Sequence, residues 1–291
     1  MSSFEVFQPT SMPSEQPDYL IVMPSILGGN LRDQSDNERV SDLGQRAQVA
    51  ADYFQVPVLG VQRTNRTDIV RRKHFLGMPK SYDPSEYSQI VAEEAGMVAD
   101  CASGLGVAKL ALIGVSAGGE RGLAHVEAGL RYNSLFVFDP PAMVEAGAHR
   151  SFGRWAAYQA RVAVEDITGH PNMPNEHRLP YAARGEVSAI EDMLLHRNPW
   201  TTRASFSTLA RLASLTIPGM ENASTRLVIP EHTFNAPGFT HQIIEGLNML
   251  AGAAKSDFSA QSTDMPHRAT DDPVRLAKIV NQSAILPPIS L

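Results

Sequence analysis

Solid apolar runs alternate along this chain with stretches in which apolar residues recur every three or four positions. Tyr19 to Met23 (YLIVM), Val56 to Val61, Lys109 to Gly114, Ser134 to Phe138 (SLFVF) and Arg226 to Pro230 (RLVIP) are the solid runs, and a further strand is expected near 257–262. Apolar residues without polar alternation suit strands covered on both faces. Helical spacing appears over 38–54, 85–103, 118–130, roughly 238–254, and 273–281. Asn37 or Asp36 could cap the first helix and Ser85 the second, while Pro273 opens the last. Residues 62–83 read as a polar loop, and so does the opening segment with Pro9, Pro13 and Pro17. Strands joined by helices predict an α/β fold, a doubly wound and mainly parallel sheet.

The pattern changes between about 142 and 222. Apolar residues thin out, and Trp155, Tyr158, Trp200 and several prolines fall among helical segments. This stretch is expected to be a helical lid inserted into one core built from 1–141 and 223–291. In doubly wound sheets the ligand site lies at the carboxyl ends of the strands.

One such end carries chemistry. The run Lys109 to Gly114 leads into Gly114-Val115-Ser116-Ala117-Gly118-Gly119 and then a helical stretch. Strand, G-x-S-x-G and helix in that order predict a nucleophile elbow, a sharp turn that presents a serine hydroxyl at the sheet edge. The residues two before and two after the serine are expected to need glycine to avoid collision. Ser116 would then lie over a helix N-terminus, which favours negative charge.

The chain resembles the α/β-hydrolase family from about Tyr19 to Val280. The resemblance rests on order: an apolar strand ending in a glycine-containing loop, the elbow GVSAGG, an excised lid, a late strand, and a histidine near the C-terminus. It implies a serine hydrolase with a Ser-His-acid triad. His267 follows a predicted strand and precedes Asp272-Pro273 at a helix start, where family members often carry their histidine. It would take the Ser116 proton and return it to the leaving group. Glu231, just after the RLVIP strand, is the first candidate for the acid, and Asp139, after SLFVF, the alternative; Asp264 is a third choice. The oxyanion hole would use the backbone N–H of Ala117 and that of Ile26, or Ser25, in the loop after the first apolar strand. The family often has His-Gly in that loop, whereas this chain has Pro24-Ser25. His125 lies in the elbow helix and is expected to be a helix-face or core residue.

Composition narrows the partners. The 291 residues carry a net charge of −6, which argues against nucleic acid, since phosphate binding needs clustered Lys and Arg. A single cysteine, Cys101, rules out an intrachain disulfide and sits in an apolar helical pattern. No apolar run reaches membrane-spanning length and no signal-peptide pattern opens the chain, so a cytoplasmic protein is expected. The histidines lack metal-ligand spacing, so neither a metal nor a cofactor is expected. The expected partner is a small-molecule acyl substrate, a carboxylic ester first of all; a homo-oligomer is left open. Two other readings stand beside this esterase-like one: an acyltransferase on the same fold, and a non-catalytic binding or scaffold protein of that fold.

Overall fold

A computed structural model describes residues 3–11, 17–24, 42–62, 74–75, 78–79, 84–140, 199–230, 237–265 and 267–286. Seven strands form one sheet: β1 (Ser3–Phe7), β2 (Tyr19–Pro24), β3 (Val58–Gln62), β6 (Lys109–Val115), β7 (Ser134–Phe138), β8 (Ser224–Pro230) and β9 (Phe258–Thr263). Among the described residues, the short strands β4 (His74–Phe75) and β5 (Met78–Pro79) form a separate antiparallel pair. The helices are α1 (Asp42–Phe54), α2 (Pro84–Gly104), α3 (Ala117–Glu127), α4 (Pro199–Ala213), α5 (Pro237–Ala254) and α6 (Pro273–Gln282).

The strand order is β1-β3-β2-β6-β7-β8-β9. All neighbours from β3 to β9 run parallel, and β1 is antiparallel to β3. The chain builds outward from β2 to β3, crosses back to β6 on the other side of β2, and then proceeds in order. The helices that follow β2 and β6, α1 and α3, therefore pack on opposite faces of the sheet, which makes the ends of these two strands the switch point at which doubly wound sheets bind ligands.

Side chains alternate across the sheet, and both faces are covered. From β6 and β7, Leu110, Leu112, Leu135 and Val137 join the core beneath α2, α3, α4 and α5. Ala111, Ile113, Phe136 and Phe138 join the core on the other face, beneath α1 and α6. Double burial is why these strands read as solid apolar runs rather than alternating ones.

Three features escape a reading by periodicity. The β4–β5 pair falls inside residues 62–83, read as a polar loop, because strands of two residues are too short to show a period. The opening segment contains a strand, β1, tied to α1 by Gln48 Nε2 donating to Gln8 O at 3.0 Å and Thr10 N–H donating to Asp52 Oδ1 at 2.6 Å. At the opposite edge, the Asn248 side chain plays the part of a further strand. Its amide donates to Ala260 O and its oxygen accepts from Ala260 N–H, both at 2.8 Å, which closes part of the β9 edge.

Within the stretch expected to be a lid, the second half of α4 lies in the main core: Leu209, Leu212 and Ala213 are buried there. Thr208 Oγ1 and Arg211 tie α4 to Glu127 at the end of α3. Residues 142–198 lie outside the described residues. Among the described residues, no helix is long and apolar enough to cross a membrane.

Candidate active site

Ser116 occupies the single residue between β6 and α3, with φ 52° and ψ −130°. A side-chain-bearing residue rarely adopts such angles, and the conformation costs on the order of 1–3 kcal/mol. The backbone enforces it from both sides. Ser116 N–H donates to Phe138 O at 2.8 Å, extending the β6–β7 ladder by one rung, while Ser116 O accepts from Gly119 N–H at 2.9 Å and Glu120 N–H at 3.3 Å. A serine at a helix N-cap ordinarily accepts a hydrogen bond from the first turn. Ser116 makes no such side-chain cap bond, so its hydroxyl is not spent on holding the helix.

Glycine allows the turn to close at Gly114, one of the positions expected, and at a further one, Gly119. A Cβ on Gly114 would lie 2.6 Å from Gly119 Cα, and one on Gly119 would lie 2.9 Å from Val137 Cγ1. The partner of the glycine two before Ser116 is therefore the one three after it, because that residue lies where the first helical turn returns toward the strand. One turn further, a Cβ on Gly122 would collide with the Leu112 side chain. The opening of α3 rests on β6 and β7 with almost no atoms between.

Ala117, the proposed oxyanion donor, is the first residue of α3. The first N–H groups of a helix have no intrahelical acceptor and carry its positive dipole end. Asp139, the alternative acid, directly follows β7. It is buried, adopts φ 45°, and donates its N–H to Val228 O at 2.8 Å. The rung from Ser116 to Phe138 places Ser116 and Asp139 at neighbouring strand ends. Asp264 is exposed. Glu231, Ile26 and Ser25 lie outside the described residues.

His267 opens a short 3-10 turn, His267–Thr270, between β9 and α6. The turn is anchored just beyond the histidine. Ala269 and Thr270 are buried. Arg46 of α1, only 3% exposed, reaches Asp271 at 3.1 Å. Asp272 caps α6 by accepting from Val274 N–H at 2.9 Å and Arg275 N–H at 3.2 Å, with Pro273 at the helix start. The Asp272-Pro273 signal in the sequence is thus a true helix start. The Arg46–Asp271 pair joins residues 225 positions apart and has no local signature in the chain.

Ser116, Asp139 and His267 follow the carboxyl ends of β6, β7 and β9. Adjacent strands lie about 4.8 Å apart, so three steps of roughly 14 Å in all separate the end of β6 from that of β9.

No protein-family model matches the chain, and no curated protein does. Solved structures are similar in fold. A proline iminopeptidase from Mycobacterium smegmatis is 16% identical with a TM-score of 0.52, over 97% of this chain and 93% of that one. An α/β hydrolase from Sphaerobacter thermophilus is 15% identical with a TM-score of 0.46, over 97% of this chain and 96% of that one. MenH from S. aureus is 13% identical with a TM-score of 0.49, over 96% and 97%. With the sheet order and the placement of the elbow, the first of these identifies the architecture: the chain has the α/β-hydrolase fold.

Proposed function

We propose that the protein is a serine hydrolase that cleaves a carboxylic ester or a related acyl bond. The observation that carries this reading is Ser116 itself. A buried serine held at φ 52° by ladder and helix bonds, with a hydroxyl that caps nothing, is strain without structural return. Strain of this kind persists where it serves function.

Ser116 Oγ attacks the acyl carbonyl and gives its proton to His267. The oxyanion that forms is held by backbone N–H groups, that of Ala117 at the positive end of α3 and that of Ile26 from the loop after β2. The imidazolium then protonates the leaving alkoxide, and water repeats the sequence on the acyl-enzyme to release the acid. The carboxylate holds the imidazole tautomer. Burial and a strained backbone at the neighbouring strand end favour Asp139 for that part, with Glu231 the other choice. A small-molecule substrate fits such a site.

Ser116→Ala and His267→Ala are each expected to lower hydrolysis of p-nitrophenyl esters by roughly 10⁴-fold or more. Asp139→Asn and Glu231→Gln, compared side by side, identify the acid as the one with the large effect. Equal and mild effects would remove both. Supplying an alcohol or thiol beside the ester separates transfer from hydrolysis, since hydrolysis yields the free acid alone.

A further inference from the structure

Near Ser116, the face of α3 that meets the sheet is bare. Gly119 lies against Val137 and Gly122 against Leu112, so the helix approaches closely and these two positions present no side chain to interlock with the strands, the first large apolar side chain of α3 buried in this core being Leu123. Ahead of Leu123 the sideways placement of the helix draws on its flanks.

On the flank toward α2, four buried polar side chains form one connected group. Arg121 Nε donates to Glu94 Oε2 at 2.6 Å and its terminal nitrogen donates to Oε1 at 2.7 Å, a bidentate pair. One turn along α3, His125 Nε2 lies 3.1 Å from the same Oε2, and His125 Nδ1 lies 3.2 Å from the Tyr132 hydroxyl. None of the four is more than 3% exposed.

The protons can be placed by chemistry. A carboxylate only accepts, so His125 Nε2 carries hydrogen and donates to Glu94. Burial holds the imidazole below its ordinary pKa, which keeps the ring neutral, so Nδ1 accepts from the Tyr132 O–H. Burial likewise pushes the Tyr132 phenol up and keeps it protonated.

Such a group is a poor device for stability, because apolar residues of similar volume often do as well or better. What it supplies is direction: a two-pronged guanidinium fixes position and angle as a greasy contact does not. Arg121 lies between Gly119 and Gly122 in sequence, on the stretch of helix whose sheet face is bare. Motion of that stretch carries Ser116 with it, through the Gly119 and Glu120 N–H groups bonded to Ser116 O.

We propose that Glu94, Arg121, His125 and Tyr132 are positioning residues that set the sideways placement of the elbow helix, and with it the Ser116 hydroxyl and the Ala117 N–H. The inference rests on Ser116 being the nucleophile.

The test compares Glu94→Gln and Tyr132→Phe with Val98→Ala. Val98 is also on α2, one turn from Glu94, and is fully buried, so its truncation loosens the same helix without touching the polar group. Each full-length protein is assayed well below its own melting temperature. The readouts are p-nitrophenyl acetate turnover and the rate at which a fluorophosphonate labels Ser116. Glu94→Gln is expected to lose roughly tenfold to a hundredfold in kcat and in labelling rate, with KM unchanged, as for a misplacement of up to about 1 Å. Tyr132→Phe is expected to lose less in the same direction, and it carries the test alone if Glu94→Gln does not fold. Val98→Ala is expected to lower the melting temperature and leave kcat near wild type. A folded variant of the polar group with wild-type kcat and labelling would overturn the inference. So would Val98→Ala losing as much activity per degree of melting temperature as Glu94→Gln. A wild type that takes no adduct at Ser116 would instead overturn the nucleophile reading, and this inference with it.

Discussion

Adding one methyl group at Gly114 should damage both stability and activity, and the geometry says how much. The Cβ of an alanine there would lie 2.6 Å from Gly119 Cα. Carbon atoms in contact prefer about 3.5–4.0 Å, so the two segments must separate by roughly 1 Å. Both partners are backbone, so no rotamer change relieves the clash. Overpacking of this kind costs about 1–3 kcal/mol, and two rigid backbones place it at the upper end. At roughly 2–4 °C per kcal/mol for a large domain, Gly114→Ala should melt some 4–10 °C below wild type. The displaced atoms lie two residues from Ser116, and a 1 Å misplacement costs on the order of a hundredfold in rate. Gly96 is the comparator. It lies within α2, and a Cβ there would meet nothing within 4 Å. Gly96→Ala should therefore stabilise the protein, by about 0.5–1 kcal/mol, and leave labelling of Ser116 unchanged. Calorimetry and the fluorophosphonate labelling rate, measured on both variants, read the two effects separately. A Gly114→Ala protein with wild-type melting temperature and labelling rate would refute the close approach of β6 and α3 on which the elbow depends.

Three further expectations concern strain, protons and the sheet edge. Ser116→Gly should be inactive yet more stable than Ser116→Ala by about 1 kcal/mol, because glycine adopts the observed positive φ without penalty; equal melting temperatures would mean that the turn is not strained. Burial places the His125 pKa in the folded state below its ordinary 6.5, while Glu94 pulls it the other way and Arg121 adds to the depression. The unfolded chain therefore takes up the proton first as pH falls. The contribution of His125 to stability is full above 6.5 and declines below it, so wild type should lose melting temperature between about pH 7 and 5 more steeply than His125→Gln. Asn248→Ala frees the N–H and C=O of Ala260 at the sheet edge, and should cost about 0.5–1.5 kcal/mol and raise self-association seen by light scattering.

Much of this architecture was legible because double burial writes itself plainly into sequence. β2 and β7 are almost wholly apolar runs whose boundaries the sequence pattern located to within a residue. The elbow was legible because few other needs put a serine among glycines between a strand and a helix. β1 was not, because a five-residue edge strand buries little and prolines follow it at positions 9, 13 and 17. Nor was the pairing of Gly114 with Gly119, since it depends on where the first turn of α3 comes back to the strand. Glu94 and Arg121 are 27 residues apart on two helices, and each read alone is an ordinary charged helix residue. The acid stayed open between Glu231 and Asp139 for a related reason. Its identity depends on which strand end lies under the imidazole, and that is a property of sheet order rather than of any local motif.

The most direct test of the central claim is mass spectrometry of the full-length protein after treatment with a fluorophosphonate, alongside Ser116→Ala. An activated nucleophile predicts a single phosphonate adduct on the peptide containing Ser116, absent from the variant. Folded wild-type protein that takes no adduct, or takes it at another residue, would contradict the assignment of Ser116 as the nucleophile.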